Sequence, residues 1–303
     1  MICVIWTWCA RAAWVVLPFT AGAAIADALG GWSRAPAVVA MVLLWAAWLA
    51  GLIALLAPRP WGFAILRVVA PNAFVISAIA DAPGGTRVVA VVCSLVAMVF
   101  ALGAPIARAS ANSISYGNED RFPLSVPVPL ALAPLPIAVL VIAAGVSAGP
   151  LLIADGRVIA GVIALVAGLP VAVLAANSVR ALSRRWLVFV PAGLVVVDPL
   201  TLADPLLMPR EDVEAIVTSA VPGALDLRLG AARGTTTFAL HDHATLARRR
   251  GRANAVMLHA RALRIAVVDR RTMVEVALGR RLPVGEAGSA HTAMPPPRTT
   301  SPS

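Results

Sequence analysis

Lysine is missing from this chain of 303 residues; all 25 of its basic positions are arginine. With Ala, Val, Leu, Gly and Pro dominant, this reads as a coding bias, so the arginine preference carries little functional information. Charge of either sign is scarce, at 13% of residues against about 25% in soluble domains. Apolar residues make up 60% and the mean hydropathy is +0.86. A water-soluble globule of this length cannot bury so much apolar surface, and a disordered chain would not carry it. Cysteine is limited to Cys3, Cys9 and Cys93, all in or beside apolar runs. That excludes a disulfide framework or a cysteine zinc site. What remains is an integral membrane protein.

About 20 apolar residues span the hydrocarbon core. Four charge-free stretches qualify: 37–57, 88–106, 130–153 and 158–176. Two more qualify with polar interruptions, 12–29 with Asp27 and 61–80 with Arg67. An all-α bundle of about six transmembrane helices over 1–179 is expected. The run after Arg11, with Ala21-Gly22-Ala23, also resembles a secretory signal, whose removal would leave five spans.

With six spans and both ends inside, seven arginines fall in inner segments: Arg11, Arg59, Arg108, Arg121, Arg180, Arg184 and Arg185. Three fall outside, namely Arg34, Arg87 and Arg157. Arginine excess marks the cytoplasmic side, so the C-terminus is expected there, at the plasma membrane. Either span count gives that end the same side. The polar stretch from Ala107 to about Pro129 becomes a cytoplasmic loop, kept from helix in its second half by Pro123, Pro127 and Pro129.

After Arg185 the pattern changes. Short β-rich runs bounded by Pro and Gly are expected at 186–190, 194–197, 202–208, 213–217, 225–229 and 235–240, with 255–259 as a further candidate. Over 269–281, Val274 and Leu278, followed by Leu282, recur at helical spacing. A small cytoplasmic β-rich domain over 180–285 follows, with a disordered tail over 286–303.

The segment Arg185-Trp186-Leu187-Val188-Phe189-Val190-Pro191-Ala192-Gly193-Leu194, continuing through Asp198-Pro199-Leu200-Thr201-Leu202-Ala203-Asp204-Pro205, resembles uncharacterised actinobacterial multi-pass integral membrane proteins. The stretch Tyr116-Gly117-Asn118-Glu119-Asp120-Arg121-Phe122-Pro123-Leu124 resembles theirs too. The resemblance spans 30–285 and implies a C-terminal bacterial PH-like, α+β domain. It transfers no catalytic residue. The sequence departs from the pattern at Arg248–Arg252 and Asn254–His259.

The candidate sites are few. Gly145-Val146-Ser147-Ala148-Gly149 matches the G-x-S-x-G elbow of serine hydrolases, but it lies in an apolar span, and no histidine precedes His241. Gly145 and Gly149 also form a G-x-x-x-G pattern for close helix packing, which is the stronger reading. His241-Asp242-His243 could present two imidazoles; a solvated turn is expected, with no metal site, because zinc needs three or four ligands. Arg67 lies about 9 Å into its span and either snorkels or meets a partner such as Asp27. Glu119, Asp120 and Arg121 read as a solvated loop, with docking on the β domain as the lesser reading.

Arg248, Arg249, Arg250 and Arg252 form the sharpest charge cluster, expected as a solvated loop or as a contact for anionic lipid headgroups. No aromatic residue interleaves it for base stacking, so nucleic acid is not expected. No catalytic set and no cofactor are expected. The overall expectation is a non-enzymatic multi-pass membrane protein whose basic domain meets lipid or another membrane protein. The alternative is a small transporter or channel component.

Overall fold

The computed structural model describes residues 2–218, 221–251 and 254–285. Arg252, His291 and the 286–303 tail lie outside the described residues. The chain divides into two compact units, one of 1–116 and 129–184, the other of 117–128 and 185 onward.

The first unit is helical: α1 (Ile2–Leu29), α2 (Arg34–Leu56), α3 (Pro60–Ile79), α4 (Gly84–Ala101), α5 (Ala104–Asn112), α6 (Val128–Leu132), α7 (Pro134–Ala154) and α8 (Val158–Leu182). Among the described residues, six helices are long and apolar enough to cross a membrane. Most large apolar side chains on them are exposed, Val166 and Ile159 among them. An outward apolar surface of that extent requires lipid as its solvent.

Neighbouring helices run antiparallel. The Trp14 indole donates to the Trp48 carbonyl at 2.9 Å and Trp48 to the Trp14 carbonyl at 3.0 Å. Arg11, early in α1, donates to the Leu55 carbonyl near the end of α2.

Several boundaries differ from the sequence expectation. The first span begins at Ile2 rather than near residue 12, because Arg11 does not stop the helix; its guanidinium lies 5.0 Å above Trp8. The span expected over 88–106 ends at Ala101. There the Trp6 indole packs on Gly103, whose absent Cβ would sit 2.6 Å from Trp6 Nε1, and Trp6 Nε1 donates to Phe100 O at 2.9 Å. The 130–153 span splits at Ala133, ahead of Pro134. The last span runs on to Leu182, with Asn177 and Arg180 inside the helix.

The second unit holds two sheets. One has the order β1-β2-β3-β4, built from β1 (Asp120–Pro123), β2 (Trp186–Val190), β3 (Gly193–Val197) and β4 (Leu206–Pro209). The other has the order β6-β8-β7-β5-β9. Its strands are β5 (Val213–Val217), β6 (Leu225–Asp226), β7 (Thr235–Arg250), β8 (Asn254–Ala266) and β9 (Val284–Gly285).

Helix α9 (Arg270–Gly279) is capped by Asp269, whose carboxylate accepts the Thr272 amide. It buries Met273 and Ala277, while Leu278 is exposed. Of the helical spacing expected through Val274, Leu278 and Leu282, Leu282 is buried in the core and Val274 packs against it, and only Leu278 faces outward. Phe122, Phe189, Leu194, Phe238, Leu263 and Met273 share one core drawn from both sheets and α9.

The loop expected after Ala107 is a finding in itself. Its middle is β1, which pairs antiparallel with β2 from Asp120↔Phe189 to Pro123↔Trp186 and buries Phe122. The chain thus enters the β unit twice. The strand expected at 225–229 stops after Asp226. The Asp226 carboxylate accepts the amide and the guanidinium of Arg228, which bends the chain away.

That pair has a pH signature. The Arg228 guanidinium holds the Asp226 carboxyl below its ordinary value of 3.8. A depressed carboxyl stabilises the folded state above the ordinary value, and that contribution is lost as pH falls through the lower folded value. The stability difference between the native chain and Asp226→Asn should be constant from neutral pH down to about 4 and shrink below it. Chemical denaturation across that range reads the difference. A pH-independent difference would show that the pair contributes no ionic stabilisation. Partial exposure of Asp226 keeps the effect small.

Candidate functional site

The long β7–β8 hairpin is the feature that the sequence expectation misplaced. His241, Asp242 and His243 are not in a turn; they occupy a bulge in β7, between Ala239 and Ala244. Arg248, Arg249 and Arg250 are not in a loop either. They end β7 and pair with Val256, Ala255 and Asn254 of β8, and the chain reverses through Gly251. The run Ala244-Thr245-Leu246-Ala247-Arg248-Arg249-Arg250 holds no proline and can pair as a strand, and Gly251, with φ of +85°, begins the reversal.

Beyond the bulge, the hairpin forms an arm with two unlike faces. Leu246 and Leu258 point to the core. The opposite face carries Thr245, Arg249, Ala255, Met257, His259 and Arg261, all exposed, with Ala247 between them. Thr245 Oγ1 and His259 Nδ1 lie 2.9 Å apart across the strands.

A segment of loop fixes the arm's edge. Leu202 bridges to Arg248, the Ala203 amide donates to Ala247 O, and the Arg249 amide donates to Thr201 O. Arg249 Nε also donates to Leu202 O at 3.0 Å. From Leu246 to Arg261 the sequence holds five arginines and no acid, and the nearest acid is Asp242 in the bulge.

The intramembrane candidates separate. Arg67 in α3 is buried, donates to Ser183 Oγ at 2.8 Å and lies 4.7 Å above the Phe63 ring. Of the two readings of Arg67, snorkelling or a partner such as Asp27, the structure gives it Ser183 as a partner. Asp27 is exposed two residues before the end of α1, while Arg67 lies toward the start of α3. Helices α1 and α3 run the same way, so the two residues stand at different heights. Nearby, Asn72 donates to Val139 O and joins α3 to α7.

Gly145 and Gly149 line the contact of α7 with α8. A Cβ on Gly145 would stand 2.6 Å from Gly168 O, and one on Gly149 would stand 2.3 Å from Leu165 Cγ. Ser147 Oγ donates to Ala143 O within α7, as a helical serine commonly does.

In the β unit, Glu119 pairs with Arg121 at 2.9 Å and Asp120 with Arg280 at 2.8 Å. Glu119, Asp120 and Arg280 border an open hollow of about 440 Å³ with Gly117, Asn118 and Pro191. Among the described residues, no group of three or more metal-ligating side chains converges.

One buried pair escaped the sequence reading. Arg185 and Asp198 are wholly buried and bonded twice, Nε to Oδ1 at 2.8 Å and Nη2 to Oδ2 at 2.7 Å. The signal was present. Once Pro191-Ala192-Gly193 sets the hairpin and Val190 faces Gly193, the same register places Arg185 opposite Asp198.

Comparison with protein-family models finds no match, and the same holds for curated proteins and for solved structures.

Proposed function

We propose that this is a non-enzymatic multi-pass plasma-membrane protein whose β unit is a cytoplasmic interaction module, acting on another membrane protein or on the bilayer surface. The observation that carries this reading is a concentration of arginine at one end of the helical unit. Arg11 reaches the Leu55 carbonyl, Arg59 reaches the Ser113 carbonyl, and Arg67 reaches Ser183. These contacts bring the end of α2, the start of α3, the end of α5 and the end of α8 to that side, and the chain leaves for the β unit from there at Tyr116 and Arg184. Arginine at loop ends marks the cytoplasmic face. The paired carboxylates of the β unit support a binding rather than a catalytic role. A PH-like relationship to actinobacterial membrane proteins belongs to the same proposal, supported by the one core that two sheets and α9 share.

The transporter or channel reading stands second. It rests on Arg67, whose bond to Ser183 also serves simply to hold α3 against the end of α8.

Reporter fusions at the C-terminus test the first reading. A green fluorescent protein fusion should fluoresce and an alkaline phosphatase fusion should be inactive. Active phosphatase there would overturn the proposal.

A further inference from the structure

We propose that the outward face of the β7–β8 arm docks flat on an anionic lipid surface, with Met257 entering the apolar boundary and Arg249 and Arg261 meeting headgroup phosphates. This rests on the reading of the β unit as an interaction module and names its partner.

The argument is one of composition on a face. Strand alternation sets Met257 among Ala247, Ala255 and Arg249, with His259 and Arg261 farther along the same strand. Met257 is 60% exposed. A single exposed apolar side chain is ordinary on a protein surface, but this one stands between cations on a face with no acid. It suits the headgroup boundary, where the side chain leaves water and the cations keep their hydration and gain phosphate. From Met257 to Arg261 is about 14 Å at 3.4 Å per residue, so the arm presents one apolar anchor flanked by positive charge.

On the opposite face Leu246 and Leu258 sit on the core, while Arg250, Asn254 and Val256 nearer the turn are exposed. Along Leu246 and Leu258 the arm can therefore use one side only, which favours lying flat over entering end-on. The occupant follows from charge and tether. No acid occurs between Leu246 and Arg261. Three chain connections join the β unit to apolar helices, so a bilayer is always at high local concentration. Nucleic acid would find the same charge but no aromatic ring, since Phe238 is the last in the sequence.

The test uses the full chain in nanodiscs, with Cys3, Cys9 and Cys93 replaced by Ala and a nitroxide placed through Met257→Cys. In discs of phosphatidylcholine with phosphatidylglycerol, the label should be reached by oxygen more than by a nickel chelate. In phosphatidylcholine alone the order should reverse. Arg261→Gln should lower the ratio of inserted to aqueous label about fivefold, taking the usual contribution of one surface arginine, and Arg261→Lys should restore it. A label through Glu275→Cys, exposed on α9, should stay aqueous throughout and report an intact fold.

A label at 257 that is aqueous in both lipids overturns the proposal. So does equal insertion in both, or protection that appears only when nucleic acid is added. Both leaflets of a nanodisc carry the same lipid, so the result does not depend on the side the β unit occupies in a cell. An aqueous label with a cytoplasmic C-terminus removes this inference alone. A periplasmic C-terminus removes the proposed function alone.

Discussion

Asp198→Ala should destabilise the β unit by about 3–5 kcal/mol, the usual cost of leaving one partner of a buried ion pair uncompensated. Arg185 would retain a full charge, with the Ser125 carbonyl still accepting from its Nη1 at 3.1 Å. Asp198 also accepts the Leu200 amide at 3.1 Å and so shapes the turn that ends β3. A single domain holds roughly 5–15 kcal/mol in total, so the loss is a large share of it. Hydrogen exchange of the β2 and β3 amides in the full chain should accelerate roughly a hundredfold or more. A change below tenfold would refute this account of the pair. The double variant Arg185→Met with Asp198→Leu should recover most of the protection, because an apolar pair of similar volume removes the desolvation cost along with the attraction.

Gly145→Val with Gly149→Val should force α7 and α8 apart. A side chain at 145 meets Gly168 O and the Ala172 Cβ, the latter at 2.8 Å; one at 149 meets Leu165 and, at 3.0 Å, Gly161 O. Backbone oxygens cannot turn aside as a flexible side chain can. Overpacking costs about 1–3 kcal/mol per site, and here the helices also lose close contact along their length. Unfolding of the full chain in detergent should shift to lower denaturant for both single variants and further for the double. Gly84→Ala, with no atom within 4 Å of the added carbon, should leave the midpoint unchanged. Equal midpoints for all of them would show that the glycines do not set this contact.

The sequence carried the six apolar helices because a bilayer imposes a length and a composition that any window of about 20 residues reveals. It carried β2, β5 and the hairpin turn at Pro191-Ala192-Gly193 for a similar reason, since alternation and turn chemistry are local. The Gly145 and Gly149 spacing was equally visible, and the structure turns that face to Gly168 and Gly161.

Partners were decided elsewhere. Arg67 binds a serine 116 positions away, not the acid that hydropathy offered. The helix break at Leu102–Gly103 depends on Trp6 arriving from another helix, and the 107–129 loop yields a strand because β2 offers it an edge. The arginine cluster became a strand because β8 pairs with it and the Thr201–Ala203 segment seals its side. Hydropathy is a sum over neighbours in the chain and predicts which solvent a segment needs. A hydrogen bond, an ion pair or a glycine contact is a meeting of distant residues, and only the closed fold states which residues meet.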